Sequence, residues 1–581
     1  MTTQGLTMRV AAPARPNLAD LAAFLCLLVL ALSFADVARH TLAPIAPAGM
    51  STIRLSPLYL PEYALRTTLR MFTALGASLV FTFTYAVIAA KSRLAGRIMI
   101  PLLDILQSTP ILGFLTFTYV FFMGLFPGRI LGAECAAVFV IFTSQAWNMG
   151  FAMIQSLRTV PPDLIEAARG FGLTSWQRFW RLEVPSAVPS LVWNAMMSMS
   201  GGWFMLVAAE TIAVGHTTVA LPGIGSYVGE AIARRDGLAI VYAIIAMALV
   251  ILAYDQLIFR PLVAWSGRFR VGQSPEGAAP DPWVLTAWRR TRLLRQFGER
   301  IAESLASLGT LRIGGSPRWT APDALETPVG RNLWRMGIAL LCVICAYGVW
   351  TLADGRVAPA DFWNAAICGA LTLARVVSMV VLACAVWIPA GVWLGLRPRW
   401  ARRAQTLAQF MAAFPANLFF PVFVVVIVRF HLNANIWLTP LMVLGTQWYI
   451  LFNVVAGTSV FPSELLEAAR NLDLRGTLWW RSVMLPGIAP YIATGAVTAA
   501  GGAWNASILA EMARWGDVTL HAKGLGDFIA TATQDGNTAH VALGVAMMAA
   551  YVVAINQLVW LPLQTYVGRR FANRDPSGGI A

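Results

Sequence analysis

Two short polar segments, each reading Glu-Ala-Ala-Arg, interrupt an otherwise apolar chain. The first begins at Glu166 and the second at Glu467, an offset of 301 residues. A short polar helix that occurs once in each half is suited to docking on a partner, and two copies favour a two-fold symmetric partner. The alternative is a re-entrant connection that only joins two helices.

The same offset continues well beyond these segments. It relates apolar, acidic, glycine and proline positions alike: Trp203 and Trp504, Glu210 and Glu511, Gly223 and Gly524, Gln256 and Gln557, Pro261 and Pro562. A gap-free match of this length indicates an internal duplication, so each half carries one Glu-Ala-Ala segment.

Composition places the chain in a membrane. Of its 581 residues 58% are hydrophobic and only 12% are charged, whereas soluble domains carry roughly 25% charged residues. The net charge of +15 is interpreted as basic cytoplasmic loops, not as nucleic-acid binding. All six cysteines lie in or beside apolar segments, and Cys342 and Cys345 are interpreted as packing residues, so no disulfide framework or metal site is predicted.

Apolar stretches of spanning length predict an all-α polytopic membrane protein. A span needs ~20 apolar residues, and counting such stretches gives about twelve helices as two six-helix repeats in parallel orientation. The predicted spans are 19–38, 69–90, 101–125, 130–155, 190–213 and 238–262 in the first half, and 333–352, 371–396, 408–430, 436–458, 491–513 and 539–563 in the second.

Basic loops predict the orientation. If the arginine-rich connections face the cytoplasm, both termini and both Glu-Ala-Ala segments do so too, and the connection 514–538 faces outward. The predicted domains are 1–264 and 333–581, joined by a basic cytoplasmic linker 265–332. Parallel repeats imply a pseudo-two-fold axis along the membrane normal, with the pathway at the repeat interface.

Helix signals surround the first Glu-Ala-Ala segment. Pro162 and Asp163 predict the start of a short helix, and Gly172 predicts its end. A second short helix, 175–182, is expected to be closed by Pro185 and Pro189 before the chain re-enters the membrane.

This arrangement resembles a known family. Glu-Ala-Ala, a glycine after three intervening residues and a later Leu-Pro are similar to the signature loop of permease subunits of ATP-binding-cassette importers. The first copy has Val184-Pro185 at the Leu-Pro position; the second keeps Leu485-Pro486 but has Asp473 at the glycine position. This departure leaves open whether the second loop makes the same turn and whether the two halves dock equally. The resemblance covers roughly residues 65–262 and 368–563.

The resemblance implies that the loops bind a separate ATPase dimer. The docking residues carried over are Glu166, Ala167, Ala168, Arg169 and Gly172 in the first copy, and Glu467, Ala468, Ala469 and Arg470 in the second.

The chain itself is not expected to be an enzyme. A phosphate-binding loop needs Gly-Lys-Ser or Gly-Lys-Thr, and neither Lys91 nor Lys523 follows a glycine. No cofactor is therefore expected on this chain, and ATP is expected on the partner. The other expected partners are an external solute-binding protein and the lipid bilayer. The expected location is a bacterial cytoplasmic (inner) membrane.

A motif such as Leu221-Pro222-Gly223-Ile224-Gly225 looks most like the nitrate, sulfonate, taurine and bicarbonate branch of this family. This resemblance implies inward movement of a small solute, with an anion favoured. Two alternatives remain open. One is a fused permease for ferric iron or thiamine, and the other is an ATP-independent secondary transporter with twelve helices.

Polar residues inside predicted spans are candidates for the translocation path, because they are costly in a membrane. Amides and indole N–H groups can donate to oxyanions. Glu210 and Glu511 would repel an anion, so a structural or gating role is favoured for them over direct contact. The candidates are Gln145, Trp147, Asn148, Glu210, Gln447, Trp448, Asn505 and Glu511.

Overall fold

A computed structural model of the chain describes five long stretches and a few isolated positions between them. The stretches are residues 53–108, 115–214, 217–269, 357–459 and 461–571. The predicted spans 19–38 and 333–352 and most of the linker 265–332 lie outside the described residues. The predicted domain boundaries stay predictions.

Long helices account for most of the described chain in the first half. Their bounds are Leu60–Phe81, Val87–Lys91, Arg93–Ser108, Leu115–Leu125, Ile130–Arg158, Pro162–Gly170, Ser175–Arg178, Val184–Glu210, Ile224–Ala233, Gly237–Tyr254 and Arg260–Ser266.

The second half repeats this order. Its helices are Pro359–Gly395, Pro398–Ala413, Phe420–Arg429, Ala434–Trp437, Gln447–Ser459, Ser463–Asn471, Gly476–Trp479, Leu485–Ala510, Leu525–Gln534, Thr538–Ile555 and Leu561–Phe571.

Spanning helices confirm the predicted fold class. Within the described stretches, seven continuous helices are long and apolar enough to cross a membrane. Two further predicted spans, 408–430 and 436–458, are each a bent pair of helices, and the second of these pairs bends by 43°. The predicted span 101–125 corresponds to two helices, Arg93–Ser108 and Leu115–Leu125.

Each half also contains a short antiparallel β-hairpin that periodicity did not reveal. Strands Thr211–Val214 and Thr217–Ala220 pair in the first half, and strands Met512–Trp515 and Val518–His521 pair in the second. Four-residue strands are too short to show an alternating pattern. In the second hairpin, Gly516 takes a φ of +59° in the two-residue turn, where glycine is favoured.

Proline does not end the helices that follow the Glu-Ala-Ala segments, contrary to the expectation for Pro185 and Pro189. The chain stays helical from Ser175 to Glu210. A π-helical turn, Phe179–Glu183, immediately precedes Val184. Such a widened turn removes the clash between a proline ring and the carbonyl four residues earlier.

A π-helical turn also precedes other prolines. A π-helical turn covers Trp480–Met484 before Pro486, and two more, Asp255–Phe259 and Asn556–Trp560, precede Pro261 and Pro562. In both halves the helix thus continues through the proline instead of ending at it.

The chain divides into two compact units. One unit contains Thr159–Val192 and the described residues between Tyr254 and Thr320. Within it, Phe179 and Phe259 are buried, and Gln177 Nε2 donates a hydrogen bond to the Thr310 carbonyl at 3.2 Å. These contacts hold the first Glu-Ala-Ala loop onto its unit.

The other unit contains Thr41–Arg158, Trp193–Ala253 and Ala321–Ala581. Its main apolar core combines side chains of both repeats, including Val140 and Ala209 from the first and Val424, Trp504 and Met548 from the second. Small residues such as Ala209 and Ala503 are fully buried and allow close helix packing.

Candidate functional site

The first Glu-Ala-Ala loop presents a short helix at the surface. This helix, Pro162–Gly170, has proline in its first turn and Asp163 close behind, where an acidic side chain complements the positive end of the helix dipole. Glu166, Ala167 and Arg169 are exposed, whereas Ala168 is buried.

A left-handed residue ends this helix. Gly172 has a φ of +68°. The Leu173 N–H donates to the Ala168 carbonyl at 3.1 Å, and the Gly172 N–H donates to the Arg169 carbonyl at 2.9 Å. These bonds satisfy carbonyls that the helix end would leave unpaired. The next helix starts with a capping box in which Thr174 and Gln177 exchange hydrogen bonds.

The second loop makes the same turn as the first, although Asp473 stands at the glycine position. Asp473 takes a φ of +48°. The Leu474 N–H donates to the Ala469 carbonyl at 2.9 Å, and the Asp473 N–H donates to the Arg470 carbonyl at 3.0 Å. Aspartate can occupy the left-handed region at a modest cost, and Arg475 Nε lies 2.7 Å from its carboxylate.

Exposed residues are matched between the two loops. Glu467, Ala468 and Arg470 are exposed and Ala469 is buried, as in the first copy. An apolar residue follows each helix: Phe171 is 83% exposed and Leu472 is 72% exposed. A charged helix with one exposed apolar side chain beyond its end is the surface expected of a docking element.

Glu210 does not lie in an open path. It ends the helix Val184–Glu210 and is fully buried. Its carboxylate accepts hydrogen bonds from Thr67 Oγ1 at 2.7 Å, from Arg70 Nη1 at 2.8 Å and from the Gly225 N–H at 2.6 Å. The carboxylate therefore ties the segment after the first hairpin to the helix Leu60–Phe81.

Arg70 joins a second carboxylate to this cluster. Its Nε and Nη2 atoms each donate to Glu134 at 2.6 Å, and Nη1 also donates to the Pro222 carbonyl at 3.0 Å. A bidentate arginine–carboxylate pair is the strong form of this contact. One cation thus serves two buried carboxylates.

The second repeat builds the corresponding cluster with one carboxylate fewer. Glu511 accepts from Thr372 Oγ1 at 2.8 Å, from Arg375 Nη1 at 2.9 Å and from the Gly526 N–H at 2.7 Å. The remaining Arg375 nitrogen, Nη2, donates to Asn435 Oδ1 at 3.2 Å. In this cluster the arginine and the carboxylate are paired one to one.

Glycine is required where the chain passes each carboxylate. A Cβ atom on Gly223 would overlap the Glu210 carboxylate, and one on Gly524 would overlap the Glu511 carboxylate. The backbone at both glycines is extended, so close approach, not an unusual φ, selects glycine here.

Sequence reasoning named Glu210 and Glu511 but missed Thr67, Arg70 and Glu134. The signal was present, because Arg70 and Arg375 are equivalent in the two clusters. They are separated by 305 residues and not by 301, so a gap-free comparison of the halves passes over them.

A cavity of about 580 Å³ lies elsewhere in the same unit, and residues of both repeats line it. Of the eight predicted path residues, Trp147, Asn148 and Asn505 are in its lining. The Gln107 Nε2 atom donates to Asn148 Oδ1 at 3.4 Å.

The other path candidates lie outside this lining. Gln145 is fully buried, with its Nε2 atom 3.0 Å from the Met71 sulfur. Gln447 accepts a hydrogen bond from Trp387 Nε1 at 3.0 Å, and Trp448 packs on the Trp387 ring. Their part in translocation stays a prediction.

Comparison with known families identifies the family of the chain. The family described as the binding-protein-dependent transport system inner membrane component matches residues 82–258 and again residues 387–573. The chain belongs to this family. It carries two copies of the family domain, which confirms the inferred fusion.

Relatives include permeases for several solutes. The chain is 28% identical over 239 residues to the glycine betaine/proline betaine transport system permease protein of Escherichia coli, covering 40% of this chain and 63% of that protein. It is 28% identical over 191 residues to the bicarbonate transport system permease protein of Synechococcus elongatus, covering 33% and 66%.

The nitrate import permease protein of the same organism is 27% identical over 184 residues, covering 31% of this chain and 59% of that protein. These matches span less than two thirds of the relatives' own length. The relatives therefore support membership of the permease family, and they support the nitrate and sulfonate branch only in part.

Replacing Glu511 by glutamine should destabilise the protein more than replacing Glu210. Glu511→Gln leaves Arg375 without a carboxylate, and breaking a buried ion pair costs about 3–5 kcal/mol. Glu210→Gln leaves Arg70 paired with Glu134. The apparent unfolding temperature of the detergent-solubilised chain measures the difference. Glu62→Gln, at a half-exposed pair with Arg66, is the control, and equal losses for the two buried glutamates would contradict the assignment.

The two loop ends should respond oppositely to substitution. Gly172→Ala places a side chain at a left-handed φ and should cost about 1–2 kcal/mol, whereas Asp473→Gly should not destabilise its loop. Hydrogen exchange of the backbone amides in each loop measures the effect. Faster exchange after Asp473→Gly would show that the Asp473 side chain, through Arg475, is needed for the turn.

Proposed function

We propose that this chain is the complete pair of membrane-spanning domains of an ATP-binding-cassette importer, acting as a translocation subunit and not as an enzyme. The observation that carries the proposal is the pair of exposed Glu-Ala-Ala helices with matching turns, one in each copy of the family domain. A fused chain supplies both docking elements that a two-fold partner requires.

The partner that fits these helices is a dimer of ATPase subunits. Each loop offers an acidic and a basic side chain, such as Glu166 and Arg169, beside an exposed apolar residue. Neither lysine of this chain stands in a phosphate-binding loop. ATP hydrolysis on separate chains would thus be transmitted to the spanning helices through both loops.

An external solute-binding protein would deliver the solute at the opposite face. The family description names binding-protein-dependent transport. We place the chain in a bacterial cytoplasmic membrane with both termini and both loops inside, because the arginine-rich connections then lie in the cytoplasm. The connection 514–538, with its hairpin, would face outward.

The solute is small. Bicarbonate and nitrate appear in the names of two relatives and glycine betaine in that of another. The expected anion is thus one candidate class, and a compound that carries both charges is the other.

Reversing the charge of both loop glutamates should remove the ATPase. Glu166→Arg together with Glu467→Arg should lower the amount of co-purifying ATPase at least tenfold, because both side chains are exposed and neither is needed for the fold of its loop. Because the two turns match, each single variant should lose a similar share. Affinity purification of the tagged permease measures recruitment.

The control is Asp535→Arg, which changes the charge as much as each single variant does, at an exposed residue of the connection 514–538. It should leave recruitment unchanged. Undiminished recruitment by the double variant, or solute transport by proteoliposomes that lack any ATPase, would refute the proposal. The second result would favour a secondary transporter.

A further inference from the structure

The cavity lining combines amides with aromatic rings. Among the described residues that line it, none is Arg, Lys, Asp or Glu. The Asn148 amide nitrogen has no hydrogen-bond partner within the described part of the chain, which leaves a donor directed to solvent or solute. A volume of about 580 Å³ is within the usual range for small-molecule sites.

The two repeats do not line this cavity alike. At one pair of equivalent positions the first repeat has Asn148 and the second has Tyr449. At another pair the first repeat has Phe204 and the second has Asn505. At these two pairs of positions, each repeat therefore contributes one amide and one aromatic ring, but from opposite positions. Two identical chains could not produce this arrangement, because equivalent positions would then carry the same residue.

We propose that the cavity takes a small solute with no net charge and two unlike ends: an oxyanion and a methylated ammonium or other weakly hydrated cationic group. This proposal rests on the importer function above and narrows its solute class. The Asn148 amide donates to the oxyanion, and Asn505, whose Nδ2 atom donates to the Gly501 carbonyl at 3.3 Å, lies in the same lining. The rings of Tyr449 and Trp504 attract the cationic end through their π faces.

Charge favours this class over a simple anion. A net charge moved into a cavity between membrane helices loses hydration, and the described lining supplies no opposite charge to replace it. A zwitterion carries its own counter-charge, so neutral donors and aromatic rings are sufficient. The exchanged positions then set a single orientation for the solute.

Direct binding to the purified full-length chain in lipid nanodiscs, without ATPase or binding protein, tests the proposal. Radiolabelled glycine betaine is the probe, with nitrate and bicarbonate as competitors at constant ionic strength. Saturable binding that a hundredfold excess of either anion does not displace is expected. Tighter binding of nitrate or bicarbonate, or no saturable binding of any probe, would overturn it.

Two variants each remove the difference between the repeats at one pair of positions. Asn505→Phe gives the second repeat the residue of the first, and Tyr449→Asn does the same at the other pair. Each should weaken glycine betaine binding at least tenfold, while Trp393→Phe, at a half-exposed ring outside the lining, should not. Unchanged affinity in both variants would overturn the proposal.

If either variant is not monodisperse, Asn148→Leu replaces it. The binding assay contains no ATPase, whereas the importer proposal depends on ATPase recruitment. A negative result for the solute proposal can therefore be distinguished from a negative result for the importer proposal.

Discussion

Hydrocarbon offers no hydrogen-bond partner, and this constraint accounts for most of the architecture. Backbone groups are satisfied within long helices, and buried side-chain charges are satisfied by one another. Arg70 lies between Glu134 and Glu210, and Arg375 contacts Glu511. These clusters do more than neutralise charge. Through the backbone N–H groups of Gly225 and Gly526, they fix the chain that follows each hairpin to a spanning helix of the same repeat.

The same constraint explains how proline is tolerated. A proline inside a spanning helix leaves a carbonyl without a donor, and the lipid cannot supply one. Here π-helical turns precede Pro185, Pro261, Pro486 and Pro562. Since these turns occupy equivalent places in both halves, they belong to the repeat itself. The helix that leaves each Glu-Ala-Ala loop thus continues to the carboxylate cluster, although it contains a π-helical turn.

Duplication within one chain allows the halves to diverge where two identical subunits could not. Where the first cluster has Glu134, the second has Asn435, which stands 301 residues later. The loop ends differ as well, with Gly172 in one and Asp473 in the other, yet the backbone is the same. Divergence has therefore changed charge and lining while the positions of the helices and turns were retained.

The sequence alone determined the membrane class, the duplication and the positions of the two Glu-Ala-Ala loops, because hydropathy, the repeat offset and turn residues can be read without knowing any contact. It also named the residues at Glu210 and Glu511. Only the tertiary structure separated these buried carboxylates from the cavity residues Asn148 and Asn505. A helix that is apolar all round has no periodicity to show which polar side chain faces a cavity. The partners of Glu210 lie on other helices, and Arg70 is 140 residues away in the chain, so contact between them is decided by packing.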